Sequence, residues 1–191
     1  MSQENTELVR QPINLSVRPH RSLDERIFVR FPSLVAVMVR AALRLRPQSR
    51  ARRAFLRRAA QLGFDALNRG DFESSFVLYD PGIEFITPPR LVGLGLDPVY
   101  RGRAGRIEFQ QRWMHEWGVM RFEPEEVLDL GDRVLFLGSV HGSGLSSGAG
   151  FDSDNWAVLY DVSAGRIVRE QPFFDRREAL EAAGLGGFAR L

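Results

Sequence analysis

Asp152 and Asp154 alternate with Trp156, Val158 and Tyr160 along one side of a strand, provided that the strand begins that early. An aspartate in register with Trp156 and Val158 would stand beside an aromatic wall, where desolvation lifts a carboxyl into the range a general base needs. If both aspartates belong to the preceding loop, they face water. Glu170 alternates with Val168, Pro172 and Phe174, and Arg169 with Ile167, Gln171 and Phe173. Either charged side chain could turn inward, and a buried one would require a partner, so a structural Arg–Glu pair stands beside a catalytic group. His141 shares a face with Leu135, Leu137 and Ser139, either as a satisfied core histidine or as a proton shuttle. The chemistry these types support is proton transfer, with Asp154 or Glu170 as base and His141 as donor.

Composition removes several alternatives. Cys is absent, which excludes disulfides, thiol nucleophiles and Cys-ligated zinc. All 26 basic residues are Arg, which excludes a Schiff-base lysine, a pyridoxal phosphate anchor and a P-loop lysine. The 3 histidines are scattered without paired spacing, so no metal is expected, and no cofactor either.

Those residues need elements to hold them, and the chain punctuates itself clearly. Ser33–Arg46 reads as a helix with Leu34, Met38, Ala41 and Leu45 on one face and a narrow stripe of Arg40 and Arg44, so apolar that something must cover it. The cover is the chain's own domain, a dimer partner or a membrane surface. Ser49 caps a stronger helix, Arg50–Arg69, whose apolar side carries Ala51, Phe55, Leu62 and Ala66, widened by Leu56, Ala59, Ala60, Gly63 and Leu67. Gly70 ends it in a left-handed cap, and Asp71 caps a short helix, Phe72–Tyr79. Asp80-Pro81-Gly82 reads as a turn before a strand, Ile83–Thr87.

A Gly/Pro-rich loop and a brief extended Val99–Arg101 lead to a third helix, Arg103–Trp117, with Ala104, Ile107, Phe109, Trp113, Met114 and Trp117 on its apolar side. Strand character follows near 119–130, 133–142, 155–161 and 166–174, with a long loop over Gly142–Gly150 and a closing helix, Arg176–Ala183. Met1–Arg10 is polar, a frayed start or a short helix. Helices first, a lone strand, another helix and then an antiparallel meander make an α+β plan, with helices on one face of a curved sheet.

Charge divides the chain unevenly. Residues 1–60 carry 13 arginines against 4 acidic residues, and residues 61–191 carry 13 against 20. This reads as a basic N-terminal helical arm, residues 1–49, lying across an acidic domain, residues 50–191. No nucleic-acid motif or aromatic platform accompanies the arginines, so no nucleic-acid partner is expected. Neither a secretory signal nor an apolar run of spanning length is legible, and a cytoplasmic location is expected.

The order of ALNRGDF at 66–72, DPGIEF at 80–85, the helix with Trp113 and Trp117, LGDRV at 130–134, GRIVRE at 165–170 and EALEAAGL at 178–185 resembles the SnoaL-like branch of the NTF2-like superfamily. The resemblance covers about residues 50–185. It implies a cone-shaped α+β fold, a bent sheet wrapping helices around an apolar cavity, commonly in a homodimer. The expected partner is a small apolar or polycyclic ligand. The implied role is cofactor-independent isomerisation, cyclisation or dehydration by a carboxylate base, or non-catalytic ligand binding or dimerisation. A membrane-peripheral role through residues 33–46 is the third alternative. Tyr79, Trp113, Trp117 and Trp156 would form walls, with Glu84 near the mouth and Arg169 among the ligand contacts. The family often has His-Pro-Asp-Val-Glu where this chain has Asp80-Pro81-Gly82-Ile83-Glu84, and Arg169-Glu170-Gln171 stands where relatives often place a pocket His or Asp.

Overall fold

The structure, a computed structural model, describes residues 21–117, 120–143 and 150–187, without the side chains of 116, 117, 143, 150 and 151. Helix α1 (Leu23–Arg30) begins at a capping box: the Ser22 side chain accepts from the Glu25 backbone N–H, and the Glu25 carboxylate accepts from that of Ser22. Pro32, with its fixed φ and missing donor, opens α2 (Pro32–Arg44). Ser49 accepts from the Arg52 N–H to cap α3 (Arg50–Asn68), and Gly70 follows its end at φ 75°.

Asp71 caps α4 (Phe72–Ser75), which is one turn long and not the helix expected to run to Tyr79. Pro81 disfavours helical backbone in the residue before it, and Tyr79 already pairs with Ile167. Strand β1 therefore spans Tyr79–Ile86, with Asp80-Pro81-Gly82 as an irregular stretch inside it and not a turn before it. After α5 (Pro89–Val92) and β2 (Val99–Arg101) comes α6 (Gly102–Trp117). The meander is β3 (Met120–Asp129), β4 (Arg133–Ser143), β5 (Gly150–Ser163) and β6 (Arg166–Phe173), closed by α7 (Arg176–Ala182).

The sheet runs β2-β1-β6-β5-β4-β3. Only β1 and β6 are parallel; the other neighbours are antiparallel. Bulges interrupt β3 between Pro124 and Glu126, and β5 where Gly138 pairs with Trp156 but Val140 pairs with Ser153. Such extra residues bend the strands that carry them. The inner face, with Ile83, Phe85, Val134, Phe136 and Val158, packs on Leu56 and Phe64 of α3 and on Phe109 and Trp113 of α6. The outer face, with Leu135, Leu137, Ala157 and Leu159, is covered by Ala179 and Ala183 at α7, so the closing helix lies on the side opposite the others.

The N-terminal helices are bound into this body at both ends. Arg21 makes a two-pronged pair with Asp71 at 2.7 Å and reaches Glu73 at 2.8 Å, while Glu25 accepts from Arg69 at 2.6 Å. At the far end the buried Arg52 donates to Asp129 at 2.6 Å, to the Leu43 carbonyl at 2.6 Å, to the Leu45 carbonyl at 3.2 Å and to the Gly131 carbonyl. This ties the α2–α3 turn to the β3–β4 hairpin. Between the two anchors, α2 lies on the β5–β6 turn at Gly165, where φ is +79° and a Cβ would sit 2.0 Å from the Ala36 carbonyl oxygen. Among the described residues no helix is long and apolar enough to cross a membrane.

Candidate functional site

Between α2, α3 and the sheet lies a cavity of about 310 Å³. Phe28, Val35 and Val39 form its roof, α3 contributes Phe64 and Gly63 to one wall, and Phe136 and Ile167 stand on the sheet side. α3 reaches the sheet with a small-residue stretch, Ala59, Ala60 and Gly63, so the space between helix and strands is not filled by side chains. A Cβ at Gly63 would meet nothing within 4 Å. The polar groups of the lining divide into Asp24, Glu25 and Arg58 beside the arm, Ser74 and Ser75 at α4, and Tyr79 and Tyr160 on β1 and β5.

The arm-side carboxylates are already engaged. Asp24 is held below the usual carboxylate range by its Ser22 hydrogen bond. For Glu25, burial pushes the pKa up, but the Arg69 guanidinium and the Ser22 groups outweigh it and the net shift is downward. The tyrosines lie at the other extreme. Burial and the Glu170 charge raise Tyr79 well above its ordinary value and raise Tyr160 as well, so both hydroxyls stay protonated at neutral pH.

Behind the tyrosines is a closed polar network. The Tyr79 hydroxyl donates to Glu170 Oε2 at 2.8 Å, and Arg106 donates to Oε2 from Nε at 2.7 Å and to Oε1 from Nη2 at 3.1 Å. Arg106 also donates to Gln110 Oε1 at 3.0 Å and lies 4.7 and 4.6 Å from the ring centroids of Phe76 and Phe85. Burial works to lower the Arg106 pKa, yet the adjoining Glu170 charge prevails and raises it. Both Glu170 oxygens are thus spoken for, and neither Glu170 nor Arg106 lines the cavity.

Asp154, Glu170 and His141 do not converge on one space. The bulge in β5 shifts the alternation by one residue, so Asp154 is exposed and out of register with Trp156. His141 belongs to the outer-face set, as its alternation with Leu135 and Leu137 implies. Its Nδ1 lies 3.0 Å from Asp152 Oδ1, and its Nε2 3.2 Å from Ser139 Oγ. Glu170 is buried and inward, opposite Tyr160, but its partner is Arg106 from α6 and not its neighbour Arg169.

Among the expected ligand contacts, Tyr79 lines the cavity. Trp113 is buried, stacked on Phe109 at 6.3 Å between ring centroids, and Trp156 is edge-on to Phe64 at 5.5 Å; both fill core. Glu84 pairs with Arg101 at 3.2 Å in an exposed position. Arg169 is exposed and adjoins a smaller recess on the outer face with Arg133 and Gln171. The Trp117 side chain and most of the Gly142–Gly150 loop lie outside the described residues, as does Met1–Arg10. Among the described residues no group of three or more His, Asp or Glu is arranged to hold a metal ion.

Two features lie beyond the pattern reading. On α6 the expected Phe109 and Trp113 are buried, and Arg106 and Gln110 are buried with them at i, i+3, i+4, i+7 spacing, while Ala104, Ile107 and Met114 are not buried. Helix α1 carried its own signal, Ser22-Leu23-Asp24-Glu25, the S-x-x-E pattern of a capping box.

A family model described as the SnoaL-like domain matches residues 60–170. A search of curated proteins finds no match. Among solved structures, an NTF2-like protein of unknown function from Burkholderia pseudomallei is 20% identical with a TM-score of 0.57, covering 65% of this chain and 94% of that one. TerC, co-crystallised with polyporic acid, is 24% identical with a TM-score of 0.56, covering 66% and 96%. A Catenulispora acidiphila protein with a ketosteroid isomerase-like fold, in complex with trimethylamine, is 14% identical with a TM-score of 0.52, covering 66% and 92%. The helices α1 and α2 that roof the cavity precede the matched segment, while α4, β1, strands β3 to β5 and the Arg106–Glu170 pair fall inside it. On that match over more than half its length, the chain belongs to the SnoaL-like domain family, with an NTF2-like α+β fold.

Proposed function

We propose that this protein binds a small, largely apolar molecule under its helical arm. The observation that carries the reading is the cavity of about 310 Å³ lined almost throughout by apolar side chains, near the lower end of the ~300–1,000 Å³ range of small-molecule sites. The ionisable groups of the lining support binding over turnover. Asp24 and Glu25 stay ionised and paired, and Tyr79 and Tyr160 stay neutral, so none is poised to exchange a proton near pH 7. Fold neighbours hold molecules as different as polyporic acid and trimethylamine, so the ligand follows from this cavity's own walls.

Titration with a neutral fluorescent probe, N-phenyl-1-naphthylamine, tests the reading. Saturable binding of one probe per chain is the expected result. Emission that only tracks free probe would end the proposal. Sedimentation velocity tests the homodimer that the family resemblance adds to it.

One observation favours a second, enzymatic reading. The Tyr79–Glu170 hydrogen bond links the cavity wall to a buried carboxylate, a path by which a proton taken from beside a ligand carbonyl could be passed on. Isomerisation, cyclisation or dehydration would then need Tyr79 at the cavity and Glu170 behind it. Any substrate turned over by the wild type and equally fast by Tyr79→Phe would exclude that route.

A further inference from the structure

Helix α2 has two apolar faces, and the fold uses one. Val35, Ala36, Val39 and Ala42 are buried against the body. Leu23 and Ile27 of α1, Phe31 between the helices, and Leu34, Val37 and Met38 of α2 are exposed, from 41% at Met38 to 76% at Leu23. On α2 the exposed set follows the i, i+3, i+4 spacing of a single stripe, and Arg40 and Arg44 flank it. Arg26, Arg30 and Arg46 are exposed on the same segment. Its described acidic residues, Asp24 and Glu25, are committed to Arg58 and Arg69. The outward surface is therefore apolar in the middle and cationic around it.

We propose that this surface docks the protein on an anionic lipid bilayer, with α1 and α2 lying in the interface plane. Apolar side chains of such a helix enter the headgroup–acyl boundary, while long arginine side chains keep their charge at the headgroups. The charge pattern selects this occupant over a second copy of the chain, because a two-fold contact through this face would set arginines against arginines. Met38 belongs both to the exposed stripe and to the cavity lining, so the docked face adjoins the cavity. Docking rests on the outer face alone and stands whether or not the cavity holds a ligand.

The experiment is flotation of the full chain with vesicles of phosphatidylcholine alone and of phosphatidylcholine with about one third phosphatidylglycerol. The expected result is co-flotation with the anionic vesicles, little with the neutral ones, and release at high salt. Arg30→Gln, Arg44→Gln and Arg46→Gln should each weaken binding roughly fivefold. Leu34→Ser/Val37→Ser, at solvent-exposed positions that leave the cavity intact, should abolish flotation while the circular dichroism and melting temperature stay those of the wild type. Equal binding to neutral vesicles, flotation that survives the serine pair, or no flotation at all would overturn the proposal. So would a dimer, seen by sedimentation velocity, that the serine pair dissolves, because a second copy would then cover the face. Loss of probe binding without loss of flotation would refute only the ligand-binding reading.

Discussion

Gly63 offers a test in which stability and binding should move in opposite directions. It lies inside the 19-residue helix α3, lines the cavity, and has nothing within 4 Å of where its Cβ would be. Gly63→Ala removes the entropic cost of an interior helical glycine, a gain of about 1 kcal/mol, or ~2–4 °C in melting temperature for a chain of this size. Gly63→Leu keeps that gain, since Leu is nearly as good a helix former as Ala, and extends its side chain into the void. Burying a leucine side chain contributes ~1.5–3 kcal/mol, less ~0.5–1 kcal/mol for lost rotamer freedom, so the net gain is about 2 kcal/mol. The same side chain occupies the ligand's volume, and the Kd for the naphthylamine probe should rise about tenfold or more. Urea denaturation followed by circular dichroism reads the first effect, and fluorescence titration the second. A Gly63→Leu protein less stable than wild type would mean that no void exists there. A stable one with unchanged Kd would put the binding site elsewhere.

The anchors of the arm supply further expectations. Arg52→Met leaves the Asp129 carboxylate buried without its cation and strips the Leu43, Leu45 and Gly131 carbonyls of a donor, so unfolding free energy should fall by ~3–5 kcal/mol in urea titration. Gly165→Ala forces a Cβ into the Ala36 carbonyl and into a left-handed backbone that alone costs ~1–2 kcal/mol, so α2 should lift and trypsin should cut its arginines faster than in wild type. Asp71 is buried beside Arg21; burial raises its carboxyl pKa, the arginine outweighs this, and the folded value lies below the unfolded one, as it does for Glu25. Their stabilisation is therefore complete above the ordinary carboxylate range and lost as pH falls through the lower folded values. Melting curves between about pH 3 and 6 should show a shallower loss of stability in Asp71→Asn and Glu25→Gln than in wild type; parallel curves would refute the assignment.

Where a local signal decides structure, the sequence is legible here. The caps at Ser49 and Asp71 and the left-handed Gly70 come from residue type and position alone, and the structure has them. The order of helices and strands, and the α+β plan with it, follows from hydrophobic period and turn residues. The site is less legible because it depends on parity and rotation. One extra residue in β5 takes Asp154 out of line with Trp156, and no composition rule announces a bulge. The buried face of α6 that holds Phe109 and Trp113 also brings Arg106 to Glu170, a pairing 64 residues apart that local pattern cannot supply. The cavity itself comes from small residues on α3 meeting an arm whose packing is wholly tertiary.

That arm lies upstream of the segment by which the family is recognised, and it still provides one boundary of the cavity. If the cavity binds a ligand as proposed, its preference would drift through substitutions in the arm while every scaffold residue stays fixed. On that reading, two proteins with indistinguishable sheets and different arms would hold different molecules, and the family label would be silent about both.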